Sequence, residues 1–493
     1  MKTVHLIGNA HLDPVWRWPW AAGADAAVAT ARSACDLLDE FSEFVFTASG
    51  SWFHQAVGDR DAALLDRIAR HVAAGRWRLV GGMVVEPDCN IPSAESFARQ
   101  LAVGQGYFRR TFGQTATVGF NIDSFGHTAY LPRILVEGGI DSYVFMRPGP
   151  HEMDLPAGPF RWRSPDGAEV LAFRIAGAYT TGAEDLARHV AAAVEASGDA
   201  DETMCFFGVG DHGGGPTRKQ IRWILDHRDT IDGVRLLFSH PRAYFDAVAA
   251  AAGSAPVVEG ELQHHAIGCY AVERRIKVAM RRAEARLGQA DRATDAAGAT
   301  AERAELDPAW EAVLRNQFHD ILGGTSIDAA GRAAAGQCLA AEARADEVLS
   351  RLTRRAFRAR AIPGVHQVVV CNPGPDPFEG LIAHEPWLVG SPAFDVAVTD
   401  EQGQPVPHQI VAPEALVGWN TAILLPASVP AGGSAVYRLV PAAGAGPAES
   451  ADALCADAGG LADGAFRVGC GPDGLSVAGW TIGLAVHDDP SDT

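Results

Sequence analysis

Near the start of the chain, HLIGNAHLDPVWRWPW (residues 5–20) sets His11, Asp13 and Trp16 just where an apolar run ends. In extended backbone, residues two apart point the same way, so His11 and Asp13 can share one ion. An H-x-D pair in a solvated loop looks the same, so the reading depends on partners elsewhere. GFNIDSFGH (119–127) supplies Asp123 after another apolar run, with Gly126 permitting a tight turn or a close approach. The alternative role for Asp123 is the N-cap of a helix starting near Thr128. GVGDHGGGPT (208–217) carries Asp211, ahead of a Thr217 placed to cap the next helix and leave the carboxylate free. VVEPDCN (84–90) adds Glu86 and Asp88, and Arg147 follows one more apolar run.

His319 comes from far downstream. The spacing predicts a helix over Pro308–Leu322, with Trp310, Val313, Leu314, Phe318 and Ile321 as its apolar stripe. His319 lies about 100° around the helix from Phe318, off that stripe. It then either complements the negative end of the helix dipole or reaches a second domain as a ligand. Two His nitrogens and two Asp oxygens make a chemically reasonable zinc set with room for substrate oxygens.

The elements that must position these groups follow from the apolar runs. Val4–Ile7, Phe44–Ala48, Trp77–Gly81, Thr117–Phe120, Tyr143–Met146, Val170–Phe173, Cys205–Gly208 and Leu236–Phe238 are nearly continuously apolar, as in a parallel sheet buried on both faces. Helical spacing fills most gaps, over Asp61–Ala73, Ser93–Phe112, Ala183–Ala196 and Thr217–His227. Such βα alternation implies a closed barrel or a large open sheet, with ligands at the carboxyl ends of the strands. His11, Asp13, Glu86, Asp88, Asp123, Arg147 and Asp211 all follow strands, so all would face one rim. Beyond Gly253 the texture turns helical, with long charged helices predicted over Arg274–Ala297 and Ala329–Arg360 and a stop at Gly323-Gly324. From Gly364 it is all-β, interrupted by the Ala/Gly/Pro-rich stretch Pro441–Asp457, which reads as a linker or exposed loop.

Composition narrows the class. With 493 residues, 47% of them hydrophobic, the chain can build two or three cores. A net charge of −19 repels phosphate, arguing against nucleic-acid and anionic-membrane partners while suiting neutral ligands such as sugars. Eight scattered cysteines with no close C-x-x-C pair fit a reducing, cytoplasmic setting. The first ten residues are too weak for a signal peptide. No stretch reaches the roughly 20 apolar residues needed to span a bilayer.

Taken in order, AHLDPVWRW, GFNIDSFGH, GVGDHGGGPT, ELQHHAIGCY and RNQFHDILGGTSI resemble glycoside hydrolase family 38, the class II α-mannosidases, in its bacterial form. The similarity runs from residue 1 to about 330 and more weakly to the end. It implies a multidomain α/β + α + β fold: a seven-stranded α/β barrel (1–252), a three-helix bundle contributing a metal ligand (253–360), and the start of C-terminal β-sandwich domains (361–493). The chain is shorter than family members usually are, which leads us to expect the last region to be incomplete. The resemblance implies one zinc ion on His11, Asp13, Asp123 and His319. By the same resemblance Asp123 is the nucleophile, Trp16 stacks on the sugar, Arg147 sits beside the nucleophile, Asp88 lies on the substrate side and Asp211 is the general acid/base. The implied partner is a mannose-containing oligosaccharide or glycoside, and a homo-oligomer is left open. Two alternatives stand beside this: a metal-dependent deacetylase or amidohydrolase acting on carbohydrate, and a noncatalytic carbohydrate-binding remnant.

Overall fold

The structure is a computed structural model that describes residues 1–182, 184–386, 396–414, 422–441 and five short strands between 455 and 482. Two compact units share the chain: Met1–Leu287 with Asp307–Arg344, and Gly288–Leu306 with the described chain from Ala345 onward.

In the first unit, strands and helices alternate: β1 (Lys2–Asn9), α1 (Trp20–Glu40), β2 (Phe46–Ser49), α2 (Ser51–Arg60), α3 (Ala62–Ala73), β3 (Trp77–Val80), α4 (Ala94–Phe112), β4 (Val118–Asn121), α5 (Leu131–Glu137), β5 (Ser142–Phe145), β6 (Phe160–Arg163), β7 (Glu169–Arg174), α6 (Leu186–Ala196), β8 (Glu202–Phe207), α7 (Arg218–His227), β9 (Val234–Phe238), α8 (Pro241–Val248) and β10 (Val257–Glu259). One parallel sheet runs β3-β2-β1-β8 with β9 also on β1; the other runs β10-β6-β7-β5-β4. The Gly81 N–H donates to the Val118 carbonyl at 2.8 Å, linking the end of β3 to β4. The apolar runs become strands because both of their faces are covered. In β5, Val144 packs with Ile7, Phe120, Phe173 and Phe206. Its neighbours Tyr143 and Phe145 point the other way, into a layer with Phe97, Leu131 and Trp162, the period-two alternation of a pleated strand.

The sequence reading missed β6 and β10. Phe160-Arg161-Trp162-Arg163 alternates buried and half-buried positions, and it pairs antiparallel to β7 where only parallel strands were expected. Arg161 and Arg163 both reach Glu169 on the neighbouring strand, so cross-strand charge pairing holds a segment too polar to register as an apolar run.

Downstream lie α9 (Arg274–Ala297), α10 (Thr300–Ala304), α11 (Asp307–Arg315), α12 (His319–Leu322) and α13 (Asp328–Phe357). The single helix expected over Pro308–Leu322 is broken. Phe318 adopts extended backbone (φ −50°, ψ 139°) and forms an antiparallel bridge with Pro87. The Asp88 N–H donates to the Gln317 carbonyl at 2.9 Å. Residues 316–318 leave the helix to pair with the loop after β3, and that tertiary pairing overrides the helical period. His319 therefore opens a short turn instead of closing a long helix.

In the second unit, two three-stranded antiparallel sheets, β11 (His366–Cys371), β16 (Ser434–Pro441), β13 (Val396–Thr399) and β12 (Phe378–His384), β15 (Ala422–Val429), β14 (Gln409–Val411), pack around a shared core of Val368, Val398, Ile423, Leu425 and Leu439. Five further short strands, β17 (Cys455–Asp457) to β21 (Trp480–Ile482), form an antiparallel sheet. The stretch expected as a linker falls, over 442–454, outside the described residues. No helix among the described residues is long and apolar enough to cross a membrane.

One core histidine gives a pH prediction. His54 on α2 is fully buried, with Nδ1 3.0 Å from the Gly50 carbonyl and Nε2 accepting from the Trp77 indole N–H at 3.1 Å. A proton on Nε2 would face that indole N–H, and burial pushes the imidazole down to about 4 despite the Gly50 hydrogen bond. The folded state thus keeps His54 neutral, whereas the unfolded chain protonates it near 6.5. Stability is present above pH 6.5 and falls as pH drops toward 4, by roughly 3 kcal/mol from this group alone. NMR should find His54 unprotonated at pH 5.5, and a titration near 6.5 would contradict the assignment.

Candidate active site

Strand β1 delivers His11 and Asp13 at its carboxyl end, and α1 packs directly on the loop that follows. A Cβ at Gly23 would lie 2.0 Å from the Pro14 carbonyl oxygen, so only glycine lets the helix seat there. Both side chains are buried, with His11 Nε2 2.8 Å from Asp13 Oδ1. Strand β4 delivers Asp123, likewise buried. It caps no helix, since α5 begins only at Leu131. Gly126 makes the close approach expected of it: a Cβ there would meet Gln263 Oε1 at 2.1 Å. The broken helix brings in His319, fully buried, its Nε2 3.7 Å from Asp13 Oδ1 and 3.6 Å from Asp123 Oδ2. His11 Nε2 is 3.8 Å from the same Asp123 oxygen.

One donor atom from each of His11, Asp13, Asp123 and His319 falls within 4.8 Å of the others. Ligand bonds of about 2.0–2.2 Å place tetrahedral donors roughly 3.3–3.6 Å apart, so modest contraction would close the set on one ion. The donors fit a divalent cation chemically as well. His319 Nε2 is buried without a hydrogen-bond partner, and its Nδ1 donates to the Glu86 carbonyl at 2.8 Å, so Nε2 is the nitrogen that would exchange its proton for a cation. Electrostatics point the same way. Burial opposes a charge on His319, yet Asp123, Asp13 and Asp320 outweigh it and push the imidazole up to about 10. Burial likewise opposes charge on His11, but Asp13 and Glu86 raise it well above the usual range. The cluster is a negative cavity that calls for a cation.

Asp123 divides its carboxylate. Oδ2 faces the imidazoles, while Oδ1 is 2.8 Å from Arg147 Nη2. Burial would raise its pKa, but His319, Arg147 and His11 hold the carboxyl well below the usual carboxylate range. Asp123 is therefore an anion, with one oxygen beside Arg147 and the other facing the histidines. Behind Arg147, which follows β5, stands His265: Nε2 contacts the guanidinium, and Nδ1 is 2.6 Å from Glu152 Oε1.

Asp211 lies in the loop after β8, half-buried. The antiparallel bridge between Leu12 and His212 and the Asp13 N–H to Asp211 carbonyl bond (3.0 Å) lay this loop alongside the His11–Asp13 segment. Thr217 caps α7 in a full capping box with Gln220, so Asp211 is free of capping duty, as its spacing suggested. Trp16 is half-buried, with the Arg17 guanidinium 4.2 Å from its ring centroid and Trp18 edge-on. Asp88 stands apart from the cluster. It is fully buried, and its Oδ1 accepts the N–H groups of Asn90 and Ile91 in a turn.

Tyr179 was not anticipated. Its ring packs on His11 at 4.8 Å between centroids, and its hydroxyl donates to Asp211 Oδ1 at 3.3 Å. Burial raises its pKa well above 10, and the Asp123 and Asp211 charges add to the effect. Tyr179 follows β7, so the rim rule applied to strand ends would have found it had hydroxyls been counted beside charged groups. Trp18 stacks on His212 and donates to the Asp13 carbonyl, Trp20 packs on Trp52, and His5 pairs with Ser239 and Glu202.

Residues 1–267 match the glycosyl hydrolases family 38 N-terminal domain and residues 264–355 the alpha mannosidase middle domain. Alpha-mannosidase G of Dictyostelium discoideum is 29% identical over 333 residues, 66% of this chain and 30% of the relative. Alpha-mannosidase 2C1 of Homo sapiens is 30% identical over 336 residues, 66% of this chain and 32% of the relative. The chain therefore matches about a third of the length of these curated relatives. An alpha-mannosidase crystal structure from Enterococcus faecalis V583 superposes with a TM-score of 0.76 at 17% identity, covering 97% of this chain and 60% of that one.

Proposed function

The chain belongs to glycosyl hydrolase family 38, and from that premise we propose that it is a retaining α-mannosidase that works through a mannosyl-Asp123 intermediate and one zinc ion. The observation that carries the reading is Asp123 itself, a buried anion shared between Arg147 and the two-histidine cluster. We propose further that seven of the first unit's strands close an α/β barrel (1–252) and that three of the later helices form a bundle (253–360), with a β-sandwich region (361–493) after them.

His11, Asp13, Asp123 and His319 would hold the zinc, which when bound would grip the sugar through its adjacent hydroxyls and favour the distorted ring of an oxocarbenium-like state. Asp123 attacks the anomeric carbon, forming a C–O bond as the glycosidic bond breaks. Arg147 keeps the attacking carboxylate oriented and ionised. Asp211 gives its proton to the leaving oxygen, then takes one from the water that hydrolyses the ester and returns the enzyme to its starting state. Tyr179, hydrogen-bonded to Asp211 Oδ1, fixes that carboxyl's direction. Trp16 offers a π face to the sugar's C–H edge. Asp88 is assigned to the substrate side, where its buried carboxyl holds the turn at Asn90–Ile91.

The test is a panel of aryl α-mannosides with graded leaving groups. Wild-type protein should hydrolyse them, and Asp211→Asn should lose about 10²–10⁴-fold in kcat/KM on poor leaving groups and far less on good ones, which need no proton. A uniform loss across the panel would remove Asp211 from the acid/base role.

A further inference from the structure

Both imidazoles of the metal cluster are held from behind by one residue. Glu86, in the loop after β3, is buried. Its backbone carbonyl accepts from His319 Nδ1 at 2.8 Å and from the His319 backbone N–H at 3.3 Å. Its side-chain Oε1 is 3.6 Å from His11 Nδ1, on the face of the ring opposite the cluster. The carboxylate is itself pinned: Oε1 accepts from the Ser49 hydroxyl at 2.7 Å and Oε2 from the Ile122 N–H at 3.1 Å. Those anchors come from the ends of β2 and β4, so the strands that build the rim also set the angle of the carboxylate.

We propose that Glu86 is the positioning residue of the metal centre, with its carboxylate orienting His11 and its carbonyl orienting His319. The inference rests on the metal reading given above and extends it to a residue that touches neither metal nor substrate. A ring nitrogen ligates well only when the opposite nitrogen carries the proton and donates it, which fixes the tautomer and raises the basicity of the ligating atom. For His319 that donation is made at 2.8 Å. For His11 the 3.6 Å separation exceeds a direct hydrogen bond, and His11 Nδ1 is buried without another partner. A cavity of about 30 Å³ bordered by His11, Thr47, Ser49 and Glu86 is large enough for one water to complete the link. Slight contraction of the cluster would close it directly. Because a single residue serves both rings, the two imidazoles cannot be misaligned independently. The bridge between Pro87 and Phe318, one residue on, locks the same loop to the segment that carries His319.

Glu86→Gln tests the clamp, because it keeps the backbone carbonyl, the volume and an oxygen for Ser49 or Ile122 while removing the charge that orients His11. Zinc affinity of the full chain is measured by competition with a chromophoric chelator, and the visible absorption of the cobalt(II) form reports the ligand field. The Gln variant should bind zinc about 10–100-fold more weakly and show a shifted cobalt spectrum, while the metal-free protein melts no earlier than wild type. Ser49→Ala, which frees the carboxylate from one anchor, should weaken zinc several-fold in the same direction and carries the test if the Gln variant fails to fold. Wild-type affinity with an unchanged cobalt spectrum would overturn the clamp and leave the metal reading standing. Failure of the wild-type chain itself to bind zinc would overturn both.

Discussion

Asp123→Asn is expected to lower kcat on an aryl α-mannoside by on the order of 10⁴-fold or more without unfolding the protein. The Asn side chain has the same volume and keeps one oxygen that can turn toward Arg147, whose Nη2 lies 2.8 Å from Asp123 Oδ1. What it lacks is the anion that attacks and the second oxygen that faces His11 and His319. Circular dichroism and the thermal midpoint check the fold, and steady-state kinetics check the loss. Wild-type-like turnover would remove Asp123 from its assigned role. The same variant should bind zinc less tightly than wild type, because it gives up a charged ligand oxygen.

Chelation is expected to produce the second large effect. His11, Asp13, Asp123 and His319 are all buried, and Asp320, also buried, adds a further carboxyl beside His319. Burial pushes Asp320 up to about 7 against the pull of His319, with Asp13 and Asp123 adding to the rise. With the cation removed, nothing else in the cluster offsets Asp13 and Asp123 except two imidazoles and Arg147. Excess chelator should abolish hydrolysis, and added zinc should restore it. A ligand present at 1,000 times its Kd stabilises the folded state by about 4 kcal/mol, so the thermal midpoint should fall on chelation and recover with zinc. Full activity after verified metal removal would contradict a metal-centred site.

How much of this was legible beforehand varies residue by residue. The rule that ligands meet the carboxyl ends of parallel strands located His11, Asp13, Asp123, Arg147 and Asp211, because long apolar runs mark buried strands and the polar residues that end them face one rim. His319 was identified as a candidate, but its setting was misread. A period of 3.6 carries no information about the loop at 86–88 that draws residues 316–318 out of the helix. Glu86 stood among the rim carboxylates without a role, since its two contacts run through a backbone carbonyl and a three-dimensional approach to His11. β6 escaped notice because its alternation of apolar and Arg residues, held by Glu169 on the neighbouring strand, lacks the continuous apolar run of a strand buried on both faces. Asp88 looks, in sequence, like any rim acid, and nothing in its spacing shows that its Oδ1 accepts the Asn90 and Ile91 N–H groups.

The central claim is that Asp123 forms a bond to the sugar. A fluorinated mannosyl inactivator, which slows hydrolysis of the glycosyl-enzyme more than its formation, followed by peptide mass spectrometry, tests it directly. The expected result is loss of activity with one fluoromannosyl adduct on the peptide containing Asp123, absent in Asp123→Asn. Hydrolysis of α-mannosides with no adduct under the same conditions would contradict it and point instead to direct attack by water.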